Sequence, residues 1–283
     1  MHDAIQTMLQ RYNSSSLQEH DQALREILQE VALVGLWRGK FFEHAAFYGG
    51  TALRIFYGLD RFSEDLDFTL LKPNANWNWQ PFSEAIKREL ASFGFDVSFI
   101  EKEKANKSAI KSAFLKTSTT EELIKIGVHS NMLRGLHPET IIRIKVEIDT
   151  EPPLTYSCEQ KFLSQPLPVS IKCVSEKELF ACKVFAAFFR TWKNRVKGRD
   201  WFDLVWFIRR QIPLDLAFYS KLSGSSKILS PSEFIEIAHT RINQVDIAAA
   251  IKDIINFVRD QEVIERSWSK EYFLHWIQHI KFI

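Results

Sequence analysis

The stretch Phe47-Tyr-Gly-Gly-Thr-Ala-Leu-Arg-Ile-Phe-Tyr-Gly-Leu-Asp-Arg-Phe-Ser-Glu-Asp-Leu-Asp-Phe68 decides how the chain is read. A short apolar run meets two glycines, a few amphipathic residues follow, and a second apolar run carries Asp65 and Asp67 at i and i+2. A strand points such residues to one face. Two carboxylates held close repel each other, which is costly unless a cation lies between them. Paired oxygen ligands suit Mg²⁺, whose coordination is then completed by waters and substrate phosphates. Gly49 and Gly50 allow backbone to approach where a Cβ would clash, and the amides opening the next helix then face a phosphate. The stretch therefore offers a phosphate cradle and a metal pair together.

Composition sets the frame around it. The 283 residues suffice for one large domain or two modest ones. With 46% hydrophobic and 25% charged residues, the chain reads as an ordinary folded protein. A net charge of +2 neither requires nor excludes a nucleic-acid partner, because a local basic patch can outweigh the total. Cys158, Cys173 and Cys182 are odd in number and form no Cys-x-x-Cys pair, which argues against a disulfide framework and for a reducing, cytoplasmic setting. The polar N-terminus lacks a signal-peptide core. No apolar run approaches the ~18 residues of a membrane span.

Working outward, residues 2–12 suit a short helix, and 17–37 carry the apolar spacing of a long one. Strands are expected at 45–48 and 66–71, with a short helix at 51–57 between them. Trp77 and Trp79 sit in a polar loop, 72–80, and are expected to fold onto the core. A helix follows at 82–93 and a strand at 95–100, with 110–115 as its hairpin partner. The lysines of that hairpin region (Lys102, Lys104, Lys107, Lys111 and Lys116) read as solvated. Residues 140–149 form a strong alternating strand, and 169–174 a last short one. From Ser175-Glu-Lys-Glu178, which has the form of a capping box, the pattern turns helical: 176–191, 199–210, 214–222, 231–243, 246–260 and 268–280. The expected organisation is an α+β domain over 1–174 and a helical domain over 175–283.

Two further constellations stand beside the aspartate pair. Glu147 and Asp149 share the polar face of the 140–149 strand, and either could supply the third carboxylate of a site that clamps a triphosphate. In the helical half, Lys183 interrupts a very apolar helix, so it must snorkel or meet an anion; a nucleotide phosphate is one candidate. Arg190, Lys193, Arg195, Lys197 and Arg199 crowd the turn that follows, readable either as phosphate or RNA contacts or as a solvated turn. Asp200 and Asp203, at i and i+3, can meet on one helix face. His275 and His279 share a helical face but lack an acidic third ligand, so they read as surface residues. No P-loop, nucleophile elbow or kinase set is present.

At this point the residues resemble a known family. Tyr48-Gly-Gly-Thr-Ala-Leu53 and Arg61-Phe-Ser-Glu-Asp-Leu-Asp-Phe68 are similar to the first motif of the AbiEii/AbiGii toxins, nucleotidyltransferase-like toxins of type IV toxin–antitoxin and phage abortive-infection systems. Glu178-Leu-Phe-Ala-Cys-Lys183, Arg190 and Gly198-Arg-Asp-Trp-Phe-Asp-Leu204 resemble the second half of that pattern. The resemblance implies a DNA polymerase β-like nucleotidyltransferase core, a mixed sheet with flanking helices, followed by an all-helical C-terminal domain. It implies Mg²⁺ on Asp65 and Asp67, with Glu147 or Asp149 as third carboxylate. It places the NTP against Gly49, Gly50 and Thr51, with Arg61, Ser63 and Arg190 as further nucleotide contacts. It makes Lys183 a catalytic lysine and lets Asp200 or Asp203 complete the site. The implied acceptor is RNA, foremost a tRNA 3′ end, and the implied partner an antitoxin encoded nearby. Transfer to a protein or small molecule, and an inactive nucleotide-binding protein, are the alternatives.

Overall fold

The computed structural model of the protein describes residues 2–102, 108–129, 131–133, 136–137, 139–152, 156–189 and 196–283. The chain divides into two compact units: residues 1–58 with 62–173, and Leu59–Arg61 with Val174–Ile283.

The first unit is built on a mixed seven-stranded sheet. In chain order it comprises α1 (Asp3–Leu9), α2 (Leu17–Arg38), β1 (Ala45–Tyr48), α3 (Gly49–Tyr57), β2 (Leu66–Leu70), α4 (Gln80–Ser92), β3 (Ser98–Lys102), β4 (Ile110–Ser118), α5 (Thr119–Lys125), β5 (Ile141–Asp149), β6 (Cys158–Leu163) and β7 (Val169–Val174). The sheet order is β3-β4-β5-β2-β1-β7-β6. β2 runs parallel to β5 and antiparallel to β1, so the aspartate strand lies inside the sheet.

Alternation explains which face is covered. Leu66, Phe68 and Leu70 of β2 and Ile142, Ile144, Val146 and Ile148 of β5 are all buried, while Asp67, Glu147 and Asp149 alternate with them on the opposite face. The apolar face packs against α2 and α4, where Leu28 and Leu90 meet Leu115, Ile142 and Ile144. Each large side chain so buried contributes about 1.5–3 kcal/mol. α2 starts at a capping box in which Ser16 accepts from the Glu19 amide and the Glu19 carboxylate accepts from Ser16. Its Gly35 is needed where α4 crosses, since a Cβ there would stand 2.8 Å from the Ile86 Cα. Trp77 and Trp79 are buried, stacked against Phe82 and Phe41 respectively, as a loop folded onto the core requires.

Three differences from the sequence expectations have physical causes. β6 has weak alternation, with Phe162 exposed and Leu163 buried at the sheet edge, so no strand pattern showed. The β3 strand begins at Ser98 rather than 95, because Phe95 faces the core as part of the helix exit. Helix α3 begins at Gly49 itself, so both glycines belong to its first turn.

The second unit is helical: α6 (Glu176–Phe189), α7 (Gly198–Arg209), α8 (Leu216–Leu222), α9 (Pro231–Gln244), α10 (Ile247–Ile254), α11 (Gln261–Ser267) and α12 (Lys270–Ile277). The helix expected over 246–260 instead ends in a 3-10 turn at Ile255–Phe257, and Asp260 caps the separate α11 by accepting from the Val263 amide. α9 carries the capping box of Ser230 and Glu233, with Pro231 at its first turn. No helix among the described residues is long and apolar enough to cross a membrane.

Gly198 sets how closely α7 can lie on α10: a Cβ there would fall on the Ala250 carbonyl oxygen. Backbone cannot yield as a side-chain tip can. Gly198→Ala is therefore expected to destabilise the protein by roughly 1–3 kcal/mol, read as a lower urea midpoint at unchanged slope. An unaltered midpoint would contradict the close approach.

Candidate active site

The site in the first unit follows from one junction, where β1 ends and α3 begins. Tyr48 at the N-cap has extended backbone and puts no side-chain cap on the helix. The first-turn amides of Gly49, Gly50 and Thr51 are thus not capped by a side chain, which is the condition for anion binding at a nine-residue helix. Gly49 has φ +81°, a region that favours glycine. A Cβ on it would stand 2.5 Å from Asp67 Oδ2. The glycine is required both by its dihedral angle and because the Asp67 carboxylate lies directly against it.

The loop entering β2 is pinned from several sides. The Thr51 hydroxyl is wholly buried and donates to the Asp65 carbonyl. Gln29 of α2 donates through Nε2 to the Ser63 carbonyl at 3.1 Å. Arg54 of α3 donates to Glu26 at 2.8 Å and stacks on the Phe62 ring, 4.7 Å from its centroid. Glu26 also accepts from Tyr12 at 2.7 Å, and the neighbouring Glu30 is forked by Arg11 at 3.1 and 2.6 Å. Glu26 of α2 thereby tethers α3 through Arg54. The family resemblance implies that Thr51 and Ser63 face the nucleotide; in the structure the Thr51 hydroxyl and the Ser63 carbonyl bond to the Asp65 carbonyl and to Gln29 respectively.

Sheet register orders the acidic groups. Asp67 is the register partner of Glu147, whereas Asp149 pairs with Thr69 one step further along the same face. Adjacent strands lie about 4.8 Å apart, so Asp67 and Glu147 are immediate neighbours. Glu147 is steadied by Ser112 of β4, which donates to Oε1 at 2.7 Å, and by Lys145 Nζ at 2.7 Å from Oε2. Asp149 is half-buried; burial raises its carboxyl above the ordinary range, although the Glu151 amide bonded to it opposes this. Ser112 and Lys145 were not singled out from the sequence. Lys145 lies at i−2 from Glu147 and was legible as a same-face neighbour; the reach of Ser112 depends on β4 register, which local patterning does not reveal. Among the described residues no three His, Cys, Asp or Glu side chains stand close enough to hold a metal ion on their own.

The second unit gathers another set. Arg61 donates through Nε and Nη2 to the two Asp203 oxygens at 2.7 and 2.6 Å. Lys183 Nζ lies 2.7 Å from Asp203 and 3.5 Å from Asp200. Arg61 is 2% exposed and Asp203 is wholly buried. The anion that Lys183 needs inside its apolar helix is thus supplied by α7. Arg61, expected as a nucleotide contact within the first domain, groups with the helical unit, where its guanidinium donates to both Asp203 oxygens. Arg199, expected at RNA, lies over the Phe257 ring and 3.6 Å from Asp253. Lys197 is the N-cap residue of α7, its carbonyl accepting from the Asp200 amide. Arg190, Lys193 and Arg195 lie outside the described residues.

Burial alone would raise the Asp203 carboxyl, but the Arg61 and then the Lys183 charges hold it below the usual range. A depressed carboxyl stabilises the fold above its unfolded value of about 3.9, and that stability is lost as pH falls through the lower folded value. In Arg61→Met, burial gains the upper hand and the acid limb should move to higher pH. Breaking the pair should also cost about 3–5 kcal/mol at neutral pH. Circular dichroism against pH checks both; an acid midpoint unchanged by the substitution would contradict the arrangement.

Comparison with known proteins adds the family. A profile described as "Nucleotidyl transferase AbiEii toxin, Type IV TA system" matches residues 31–274. Among solved structures, the chain is similar to JHP933 from Helicobacter pylori, with 18% identity over 94% of this chain and 92% of that one at a TM-score of 0.54. A second H. pylori structure, provisionally described as a nucleotidyltransferase, aligns with 19% identity over 90% of this chain and 92% of that one at a TM-score of 0.49. No curated protein matches the chain. The likeness to JHP933 concerns the fold: a mixed sheet with flanking helices, then a helical region.

Proposed function

Because the chain belongs to the AbiEii nucleotidyl transferase toxins of type IV toxin–antitoxin systems, we propose that it transfers a nucleotide from an NTP to the 3′ hydroxyl of an RNA, in first place a tRNA, and so blocks translation. Membership implies an antitoxin as partner. The observation that carries the chemical reading is the junction of Gly49 with Asp67 and Glu147: a helix N-terminus without a side-chain cap abuts a carboxylate that only glycine leaves room for.

Oxygen donors of this kind fit Mg²⁺, which commonly takes one or two carboxylates and completes its shell with phosphates and water. Asp65 and Asp67 would hold the ion, with Glu147 rather than Asp149 as the adjacent carboxylate, on the strength of register. A bound Mg²⁺ supplies charge neutralisation at the phosphate oxygens. The chain's own groups do the remaining work. The first-turn amides of α3, at Gly49, Gly50 and Thr51, bind the triphosphate. The buried Thr51 bond and the Gln29 and Arg54 contacts fix the Asp65 loop, so little reorganisation is needed when charge develops. The acceptor oxygen attacks the α-phosphorus, the bond to pyrophosphate breaks, and the hydroxyl proton passes to water. Lys183, with Asp200 and Asp203, enters as a charged set in the helical unit that transfer requires.

Asp67→Asn is expected to abolish transfer of label from NTP to total RNA while leaving the fold intact, a loss of at least about 10³-fold for a group acting in the transition state. The assay is incubation with Mg²⁺ and each labelled NTP in turn, resolved by gel. Label in a tRNA-sized band with wild type and none with the variant is the expected result. Label in protein would replace the acceptor, and undiminished labelling by Asp67→Asn would overturn the metal assignment.

A further inference from the structure

Sheet register also arranges residues that the transfer reading leaves unused. On the face that carries Asp67, one row of register partners runs Lys102, Ser112, Glu147, Asp67, Tyr48 across β3, β4, β5, β2 and β1. The next row along β3–β5 holds Ile100, Phe114 and Lys145, and the one after it Ser98, Lys116 and Arg143. On these three rows four cations stand against Glu147, and Asp149 lies one step further along the same face of β5. Ile100 is 44% exposed, and Lys102 and Arg143 are exposed as well. The Arg143 guanidinium lies 3.8 Å from the centroid of the Phe114 ring, a stacked pair presenting a flat cation. Lys102, Lys116 and Arg143 have no ion-pair partner among the described residues. Three strand spacings, about 14 Å, separate Asp67 from β3.

We propose that the β3–β4–β5 face is the docking platform for the acceptor, a single-stranded RNA end whose phosphates lie on Lys102, Lys116 and Arg143 and whose terminal hydroxyl reaches Asp67. The proposal rests on the nucleotidyl-transfer reading and names the path its acceptor takes. Charge complementarity selects a polyanion. A duplex would bring paired bases that need no stacking partner, whereas the Arg143–Phe114 stack and the exposed Ile100 offer flat and apolar surface to unpaired bases. The stripe also ends at the carboxylates where a free 3′ hydroxyl is required, which an acidic protein surface would not explain. Lys102 and Lys116, which read as solvated from the sequence, are thereby given a partner, because pairing of β3 with β4, and of β4 with β5, turns them to the same side as Asp67; Lys104 and Lys107 lie outside the described residues.

The test is fluorescence anisotropy of a labelled single-stranded RNA with a free 3′ end, without Mg²⁺ or NTP, across a salt series. Lys102→Ser/Lys116→Gln/Arg143→Gln should bind at least about tenfold more weakly at low salt, and its log–log salt slope should fall by about 2, near 0.7 for each phosphate no longer neutralised. Lys102→Glu/Lys116→Glu, which leaves the Arg143–Phe114 stack intact, should weaken binding in the same direction and guards against a folding defect. Unchanged affinity and salt slope in both surface variants would overturn the platform, whether or not the wild type labels RNA. Weakened RNA binding in those variants, while the wild type transfers no nucleotide, would keep the platform and remove the transfer reading instead. If the variants bind RNA normally and fail only to bind antitoxin, the face belongs to a protein partner and the proposal fails.

Discussion

Asp67 and Glu147 are register partners on neighbouring parallel strands, and much of the first unit can be understood as what makes that placement tolerable. Two carboxylates at one strand spacing repel unless positive charge or hydrogen bonds meet them. Lys145 and Ser112 meet Glu147. Asp67 lies against Gly49, at the positive end of α3. The parallel pairing keeps the two side by side, and the apolar residues alternating with them anchor the register. A slip of one residue would turn Asp67 into the core and Phe68 out of it.

The helical unit solves a related problem by different means. Lys183 sits in a helix of Leu, Phe, Ala and Val, and Asp203 is wholly buried. Neither charge would survive there alone, at a cost of several kcal/mol per ion. Together with Arg61 and Asp200 they form a set of two cations and two carboxylates held within ion-pair distance of one another. Such a set specifies its own geometry, because removing any member leaves a buried charge uncompensated. The support of α3 uses a similar device: Arg54 pairs with Glu26 of α2, which also accepts from Tyr12, while Arg11 pairs with Glu30 and ties the segment after α1 to α2.

Much of this was legible in the sequence wherever local pattern and burial agree. The strand at 45–48, the glycine turn and the aspartate strand were readable because alternation, glycine and a buried apolar run coincide there. The family pattern then made the fold class readable as α+β with a helical region after it. What could not be read depends on residues far apart in the chain. No spacing rule joins Arg61 to Asp203, which are brought together by packing alone. The choice between Glu147 and Asp149 turns on register with β2, and Ser112 on register with β4. β6 escaped notice because an edge strand with an exposed Phe162 carries little alternation. Thr51 stands out in the sequence beside the two glycines, yet its hydroxyl serves the backbone of Asp65, a role that composition does not distinguish from phosphate contact.

The central claim is that the carboxylates beside Gly49 bind a divalent ion together with nucleotide. Mn²⁺, which can stand in for Mg²⁺ at oxygen ligands, reports this directly through its electron paramagnetic resonance signal. Titration of the wild-type protein with Mn²⁺, with and without a non-hydrolysable NTP analogue, should show binding that tightens when nucleotide is present. Asp67→Asn should lose that binding, and Asp149→Asn should keep it. Equal Mn²⁺ binding by wild type and Asp67→Asn, with or without nucleotide, would contradict the account.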